Sequence, residues 1–408
     1  MSRKTFMLIA GEPSGDMLAA ELVKALKQLP EVQAMPFPPE FFGAGGPRMA
    51  EAGVELAVDL TQHSVIGLFD ALKKYSEFKN IFDHLFQLAL EREPDVIICV
   101  DFSGFNRRFA HAIKRHVRAR RGSFSNWNPR IVQYVSPQVW ASRPGRAFQL
   151  AEDVDLLLSI FPFEKEWYAE RMLPLRVEFV GHPMVDRYAK AEHGTQKAES
   201  PQAAPIQPST PVILLLPGSR VSELRRHLPL LTATARQIHQ VKPEVRFSMV
   251  LPSEELKRLA EETSALVPTL EIKIGGLAGA LAQADFAIVK SGTITLECAF
   301  FGVPAVVFYK TSWISYLTGK MAINVEHLAM PNLLAGEEIY PEFIQHAATP
   351  ENIVRAALDL LNEPERRNAV RSKLAGVIGS LGEPGASRRA AEAVWSILEP
   401  AQISLHAA

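Results

Sequence analysis

Cysteine is almost missing from this chain: Cys99 and Cys298 are the only two in 408 residues. Both fall inside apolar runs, which points to buried free thiols in a reducing compartment and away from a disulfide framework or thiolate metal site. An excess of charge of one sign is missing too. The net charge of −1 excludes a general nucleic-acid binder, which wants a strongly basic surface. No uninterrupted apolar stretch approaches the ~20 residues of a membrane span. The opening MSRKTFMLIAG superficially resembles a secretory signal, but its apolar run is short and Gly-Glu-Pro-Ser-Gly-Asp replaces a cleavage site. A cytoplasmic location is the expectation. No His/Cys/Asp cluster has metal-ligand spacing, so no metal is expected either.

What is present is the material of a packed globular protein. Hydrophobic residues make up 47% of the sequence, and its length suits two domains of roughly 150–200 residues. Short apolar runs alternate with helical ones at Thr5–Ala10, Phe41–Gly45, Val96–Asp101, Ile131–Val135, Leu156–Ile160 and Val177–Val180. Residues 191–211, AEHGTQKAESPQAAPIQPSTP, lose this periodicity and read as a linker or surface insertion. A second series follows at Val212–Leu216, Val245–Val250, Leu270–Ile274, Phe286–Val289 and Ala305–Phe308. The expected fold is α/β: two doubly wound parallel-sheet domains, 1–190 and 212–380, facing a central cleft, with a last helix in 381–408 packing on the first domain or on a partner.

The carboxyl ends of such strands carry the chemistry. The first strand-to-helix turn, Gly11-Glu12-Pro13-Ser14-Gly15-Asp16, is not a P-loop, a nucleophile elbow or a dinucleotide fingerprint. In the second half, LLPGSRVSE places Ser219 to cap a helix and Arg220 near the helix dipole, as a diphosphate site would; an ordinary capped turn with a solvated arginine is the alternative. Ser291-Gly292-Thr293 begins another helix, with Glu297 four residues on. That pattern suits a nucleoside-diphosphate sugar, its ribose on Glu297, against a surface salt bridge as the bland reading.

Asp101 ends a very apolar strand, where burial raises a carboxyl from its ordinary ~3.9 toward general-base range; helix capping is the alternative. Ser136, Gln138, Trp140 and Arg143 at another strand end suit a sugar and a phosphate. His182 stands at the strand-to-linker junction. Val65, Ile66, Leu68, Phe69 and Leu72, followed by Lys73 and Lys74, read as an interfacial or acyl-receiving face, or as a core helix with a wet side. Residues 107–121 are strongly basic and suit anionic headgroups or a solvated helix face.

Taken in order, GEPSGD (11–16), GAGGPRM (43–49), YVSPQVW (134–140), FPFEKEWY (161–168), GHPM (181–184), LLPGSR (215–220), SGTITLE (291–297) and MPNLLAG (330–336) resemble the lipid-A-disaccharide synthases, over nearly the whole chain. The resemblance implies a two-Rossmann-domain (GT-B) glycosyltransferase of Gram-negative lipid A biosynthesis, needing no cofactor or metal. It implies a UDP-linked acylated sugar donor, an acylated sugar-phosphate acceptor and peripheral attachment to the cytoplasmic face of the inner membrane, and it allows a homodimer. It makes Asp101 the base and Arg220 the diphosphate ligand, with Ser219, Ser291, Gly292, Thr293, Glu297 and Asn332 around UDP. Glu12, Ser14, Gly15, Asp16 and Asn106 join Ser136, Gln138, Trp140, Arg143 and His182 on the acceptor side.

Two positions depart from the family pattern. Gly104 stands where the family's Asp-x-Pro-Asp-Phe-Asn has its second acid, and Ser142 replaces a tryptophan. Two rival readings remain: another UDP-sugar GT-B enzyme, such as an epimerase or different lipid glycosyltransferase, and a non-catalytic UDP-sugar or lipid-binding paralogue.

Overall fold

Strand β1 (Thr5–Ala10) is buried from Phe6 to Ala10 with no side chain left to solvent, so both of its faces are covered. That is why its sequence is a continuous apolar run and not an alternating one. The computed structural model describes residues 3–61, 71–120, 122, 126–194, 210–264, 267–311 and 325–398. They form two compact units, one of Met1–Arg187 with the chain from Leu381 onward, the other of Tyr188–Ser380.

The first unit holds β1, β2 (Glu40–Gly45), β3 (Glu55–Asp59), β4 (Val96–Val100), β5 (Arg130–Tyr134), β6 (Leu156–Ser159) and β7 (Arg176–Phe179) in one sheet, ordered β3-β2-β1-β4-β5-β6-β7. The second holds β8 (Val212–Leu216), β9 (Arg246–Leu251), β10 (Leu270–Ile274), β11 (Phe286–Lys290), β12 (Ala305–Tyr309) and β13 (Glu342–Ile344), ordered β10-β9-β8-β11-β12-β13. The central pairings are parallel throughout. In each sheet the first strand lies between the second and the fourth, so the strand order reverses there. The crevices between β1 and β4, and between β8 and β11, are the switch points where such sheets bind ligands.

Sequence-local devices set this register. An aspartate just before a strand accepts an N–H from the start of the neighbouring strand: Asp95 from Thr5 at 2.8 Å, Asp155 from Ile131 at 2.7 Å and Asp285 from Val212 at 2.9 Å. Gly43 has φ +145, and a Cβ there would lie 2.0 Å from the Leu8 carbonyl oxygen, so only glycine lets β2 pair with β1. Each unit packs its own core, Met7, Ile9, Ile97 and Phe109 in one and Leu214, Leu228, Ile288 and Val306 in the other. Each such side chain contributes about 1.5–3 kcal/mol of burial.

The last described helix, Ala386–Ser396, packs on helix Pro13–Gln28 within the first unit. Asp186 fixes its start by accepting from the backbone N–H groups of Gly385, Ala386 and Ser387. Two strands escaped the sequence reading: β3, whose residues are mostly half-exposed, and the three-residue β13. Helix Pro183–Gly194 also runs into the stretch read as linker. Residues 195–209 lie outside the described residues, as do Val65, Ile66, Leu68 and Phe69. Leu72, Lys73 and Lys74 fall in helix Ala71–Arg92. No described helix is long and apolar enough to cross a membrane.

Candidate functional site

At the first switch point, β4 ends in an unusual backbone. Asp101 and Phe102 take φ +48 and +43, a region unfavourable to residues other than glycine. The surrounding groups hold them there. Asp101 N–H donates to Tyr134 O at 2.8 Å, and the Asp101 carbonyl accepts from Asn106 Nδ2 at 2.9 Å. Asn106 Nδ2 also reaches Ile9 O and Val100 O, tying the ends of β1 and β4 together. The backbone thus presents the Asp101 carboxyl at the carboxyl edge of the sheet. Burial, and then the Glu12 charge, push it above the ordinary aspartate value, against a lowering hydrogen bond from the Phe102 backbone. A raised carboxylate beside a second acid is a fit proton acceptor.

Several residues read as acceptor ligands have other work. Asp16 is 2% exposed, and its carboxylate accepts from the N–H groups of Gly46, Arg48 and Met49, closing the second strand-to-helix turn. Asn106 is fully buried, and its amide nitrogen positions the Asp101 backbone. Gly15 is buried against Val100 O. His182 is buried too, with Nδ1 accepting from Met184 N–H; burial, then Arg187, push its ring down to about 4. It caps a helix in the neutral form. At the turn Ser14 is exposed and Glu12 half-buried.

The loop after β5 forms a second group. Trp140 Nε1 donates to Glu164 Oε1 at 3.0 Å, and Ser136 Oγ lies 3.2 Å from Tyr168 Oη. Trp140 also meets Phe163 edge-on, and Phe163 stacks on Phe161, whose ring lies 5.6 Å from that of His182. Glu164 is 1% exposed. Burial pushes its carboxyl up to about 7 despite hydrogen bonds from Trp140, Ser136, the Phe161 backbone and Ser159. Sequence reasoning missed Glu164; the signal was an acid set among four aromatics in FPFEKEWY. Gln138 and Arg143 are exposed at the loop surface.

At the second switch point, Gly218 takes φ +124 and the chain turns into helix Val221–Val241. The helix cap position falls to Arg220, and the Ser219 side chain caps nothing. Instead Ser219 N–H donates to Glu223 Oε2 at 3.0 Å, and Lys290, the last residue of β11, reaches Glu223 Oε1 at 2.7 Å. Burial alone would raise the Glu223 carboxyl; Lys290, the Ser219 N–H and Arg220 outweigh it and hold it below its ordinary value. Lys290 and Arg220 therefore flank one turn, and the sequence reading named only the arginine. His227 ties this turn down from beneath, its ring nitrogens 2.6 Å from Pro217 O and 3.0 Å from Lys310 O.

Ser291, Gly292 and Thr293 follow Lys290, with Gly292 at φ +149 and Ser291 Oγ donating to Leu328 O. Glu297 Oε2 accepts from Tyr188 Oη at 2.7 Å. Asn332 is not available to a nucleotide. It is fully buried, its amide donating to Tyr340 O and Glu342 Oε1 and its Oδ1 accepting from Ile339 and Tyr340 N–H. It anchors the loop that leads to β13.

Two Rossmann-type sheets in one chain define a GT-B fold, and solved structures share it. The chain aligns with the UDP-GlcNAc 2-epimerase of Neisseria meningitidis bound to UDP-GlcNAc at a TM-score of 0.60 and 14% identity, covering 96% of this chain and 100% of that one. It aligns with CalG4, the calicheamicin glycosyltransferase, at a TM-score of 0.57 and 16% identity, over 98% and 100%. Sequence goes further than fold. The chain belongs to the lipid-A-disaccharide synthetase family, whose pattern it matches over residues 6–395. It is 36% identical to the lipid-A-disaccharide synthase of Trichlorobacter lovleyi, over 97% of this chain and 98% of that protein. It is 35% identical to the Nitrosococcus oceani synthase, over 96% of each. It is a glycosyltransferase of lipid A biosynthesis.

Proposed function

We propose that this chain condenses UDP-2,3-diacylglucosamine with 2,3-diacylglucosamine 1-phosphate, giving the β-1,6-linked lipid A disaccharide 1-phosphate and UDP with inversion at the donor carbon. The acceptor 6-hydroxyl oxygen bonds to the donor anomeric carbon and gives its proton to the Asp101 carboxylate. The bond from that carbon to the β-phosphate oxygen breaks, and the electron pair leaves with UDP. Arg220 and Lys290 take up the charge that develops on the diphosphate, so the reaction needs no divalent ion. Glu297 receives the ribose, and Glu12 with Ser14 faces the acceptor sugar. The protein works while attached peripherally to the cytoplasmic face of the inner membrane, through the apolar stretch that begins at Val65.

The observation that carries this reading is Asp101, held by its neighbours at a switch point with a raised carboxyl, in a chain of this family. The test is turnover with both acylated substrates in detergent without divalent metal, beside Asp101→Ala. Disaccharide phosphate and UDP from the wild type, with a loss of at least a hundredfold in the variant, support the reaction and the base. Donor binding without any disaccharide in the wild type overturns the reading.

A further inference from the structure

Helix Ser103–Arg120 carries basic residues along its length, but they are not matched evenly. Farther along, His111 Nδ1 lies 2.9 Å from Asp153 Oδ2, Lys114 Nζ lies 2.7 Å from Asp155 Oδ2, and Arg118 donates to Glu152 O. Near its start, Arg107 and Arg108 have no carboxylate within ion-pair distance among the described residues. Arg143 and Arg146, in the turn that opens helix Arg146–Asp153, are in the same condition.

Packing brings the two pairs together. The Arg107 guanidinium donates to Gln149 Oε1, and Gln149 is three residues beyond Arg146 on the same helix face. Arg146 N–H in turn donates to Arg143 O at 3.0 Å. Desolvation, and then the charges of Arg143, Arg107 and Arg108, pull Arg146 below the ordinary arginine value.

Left alone, this arrangement is unfavourable in two ways. Guanidinium groups do not shed their protons near neutrality, so four of them repel. Arg146 is the first residue of its helix and Arg107 lies near the start of the other, where the dipole is positive; neither first turn carries an acid to offset it. A bound anion would relieve both terms.

We infer that Arg107, Arg108, Arg143 and Arg146 form a phosphate-monoester site that grips the acceptor's anomeric phosphate. The inference rests on the reaction proposed above. A monoester dianion offers three oxygens to several guanidinium forks, where a carboxylate offers two oxygens and one charge. Placement favours the acceptor. Asp101 directly follows the strand that feeds the same helix, and Arg107 and Arg108 stand in the second turn of that helix. The acceptor's 6-hydroxyl and 1-phosphate lie at opposite ends of one sugar ring. The other source of phosphate oxygens, the phosphodiester headgroup of an anionic lipid, has no such tie to the base.

The test compares the full-length protein with Arg108→Gln, Arg146→Gln and the double variant; Arg118→Gln, on the same helix, is the control. The acceptor is titrated with and without its 1-phosphate, and UDP binding and flotation on phosphatidylglycerol vesicles are followed in parallel. The expected result is a KM for the phosphorylated acceptor raised on the order of tenfold per arginine. The dephosphorylated acceptor, UDP affinity, flotation and the control stay near wild type. An unchanged KM, or equal loss on both acceptors, overturns the site; lost flotation with unchanged KM overturns it in favour of a lipid headgroup. Should the wild type transfer nothing, the reaction reading fails by itself. Calorimetry with glucosamine 1-phosphate then decides the site: weaker binding to Arg146→Gln supports it, and equal binding overturns it.

Discussion

Lys290 Nζ lies 2.7 Å from Glu223 Oε1, while the other oxygen of that carboxylate accepts the Ser219 N–H at 3.0 Å. A side chain of the helix that begins at Val221 thus fills the turn where a donor diphosphate is proposed to lie, and it neutralises one of the two cations beside it. An incoming diphosphate competes with Glu223 for the same N–H and the same ammonium.

Glu223→Gln keeps an oxygen for the Ser219 N–H and removes the competing charge. UDP is expected to bind this variant about fivefold more tightly, the effect of one screened charge near a partly exposed site. Lys290→Met is expected to weaken UDP by a similar factor. Calorimetric titration of UDP into both variants checks the pair of signs. No change in either would remove this turn from the donor site.

Asp101 and Glu12 make a second prediction, about pH. A base works ionised, so kcat/KM should fall as pH drops through the Asp101 pKa of the free enzyme. Burial raises that pKa first and the Glu12 charge raises it further. Glu12→Gln removes the second cause, so the acid limb of the kcat/KM profile should move to lower pH. Movement to higher pH, or none, would separate Glu12 from the base.

Asp16 separates a structural role from a binding one. Its carboxylate holds three backbone N–H groups in the buried turn after β2. Asp16→Ala leaves those donors unpaired and should destabilise the protein by about 3 kcal/mol or more. Below its lowered melting temperature, the variant should keep an acceptor KM close to wild type. A KM rise at unchanged thermal stability would restore Asp16 to the acceptor site.

Burial explains which of these roles the sequence made legible. Strands with both faces covered, such as Thr5–Ala10 and Val212–Leu216, are written as unbroken apolar runs and were found at their observed bounds. The half-exposed Glu55–Asp59 has no such run and was missed. In the site, sequence pointed to the strand ends, because turns rich in glycine and polar residues announce themselves. It did not distinguish polar residues that face outward from those turned in. Asp16, Asn106 and Asn332 look like ligands in a motif, yet the Asp16 carboxylate, the Asn106 amide nitrogen and the Asn332 amide are engaged mainly with backbone groups. Glu164 and Lys290 gain their meaning from partners 24 and 67 residues away, spacings that no local pattern encodes.

Glu164 carries the clearest effect of pH on stability. Its carboxyl is pushed up to about 7 in the folded protein, from an ordinary 4.5, because burial penalises the charged form more than its hydrogen bonds repay. The folded state therefore favours the proton. Below about pH 4.5 the group is protonated folded or unfolded, and its full contribution is present. As pH rises from there the unfolded chain ionises first, and the contribution is lost by the time pH passes about 7. The shift corresponds to a loss on the order of 3 kcal/mol. Glu164→Gln keeps an oxygen for Trp140 Nε1 and has nothing to titrate. Between pH 5 and 8 the melting temperature of the wild type should therefore fall by several degrees relative to this variant. Differential scanning calorimetry of both proteins across that range reads the difference directly. Parallel curves would mean that Glu164 is ionised in the folded protein throughout, and that the hydrogen bonds from Trp140, Ser136, the Phe161 backbone and Ser159 fully offset its burial.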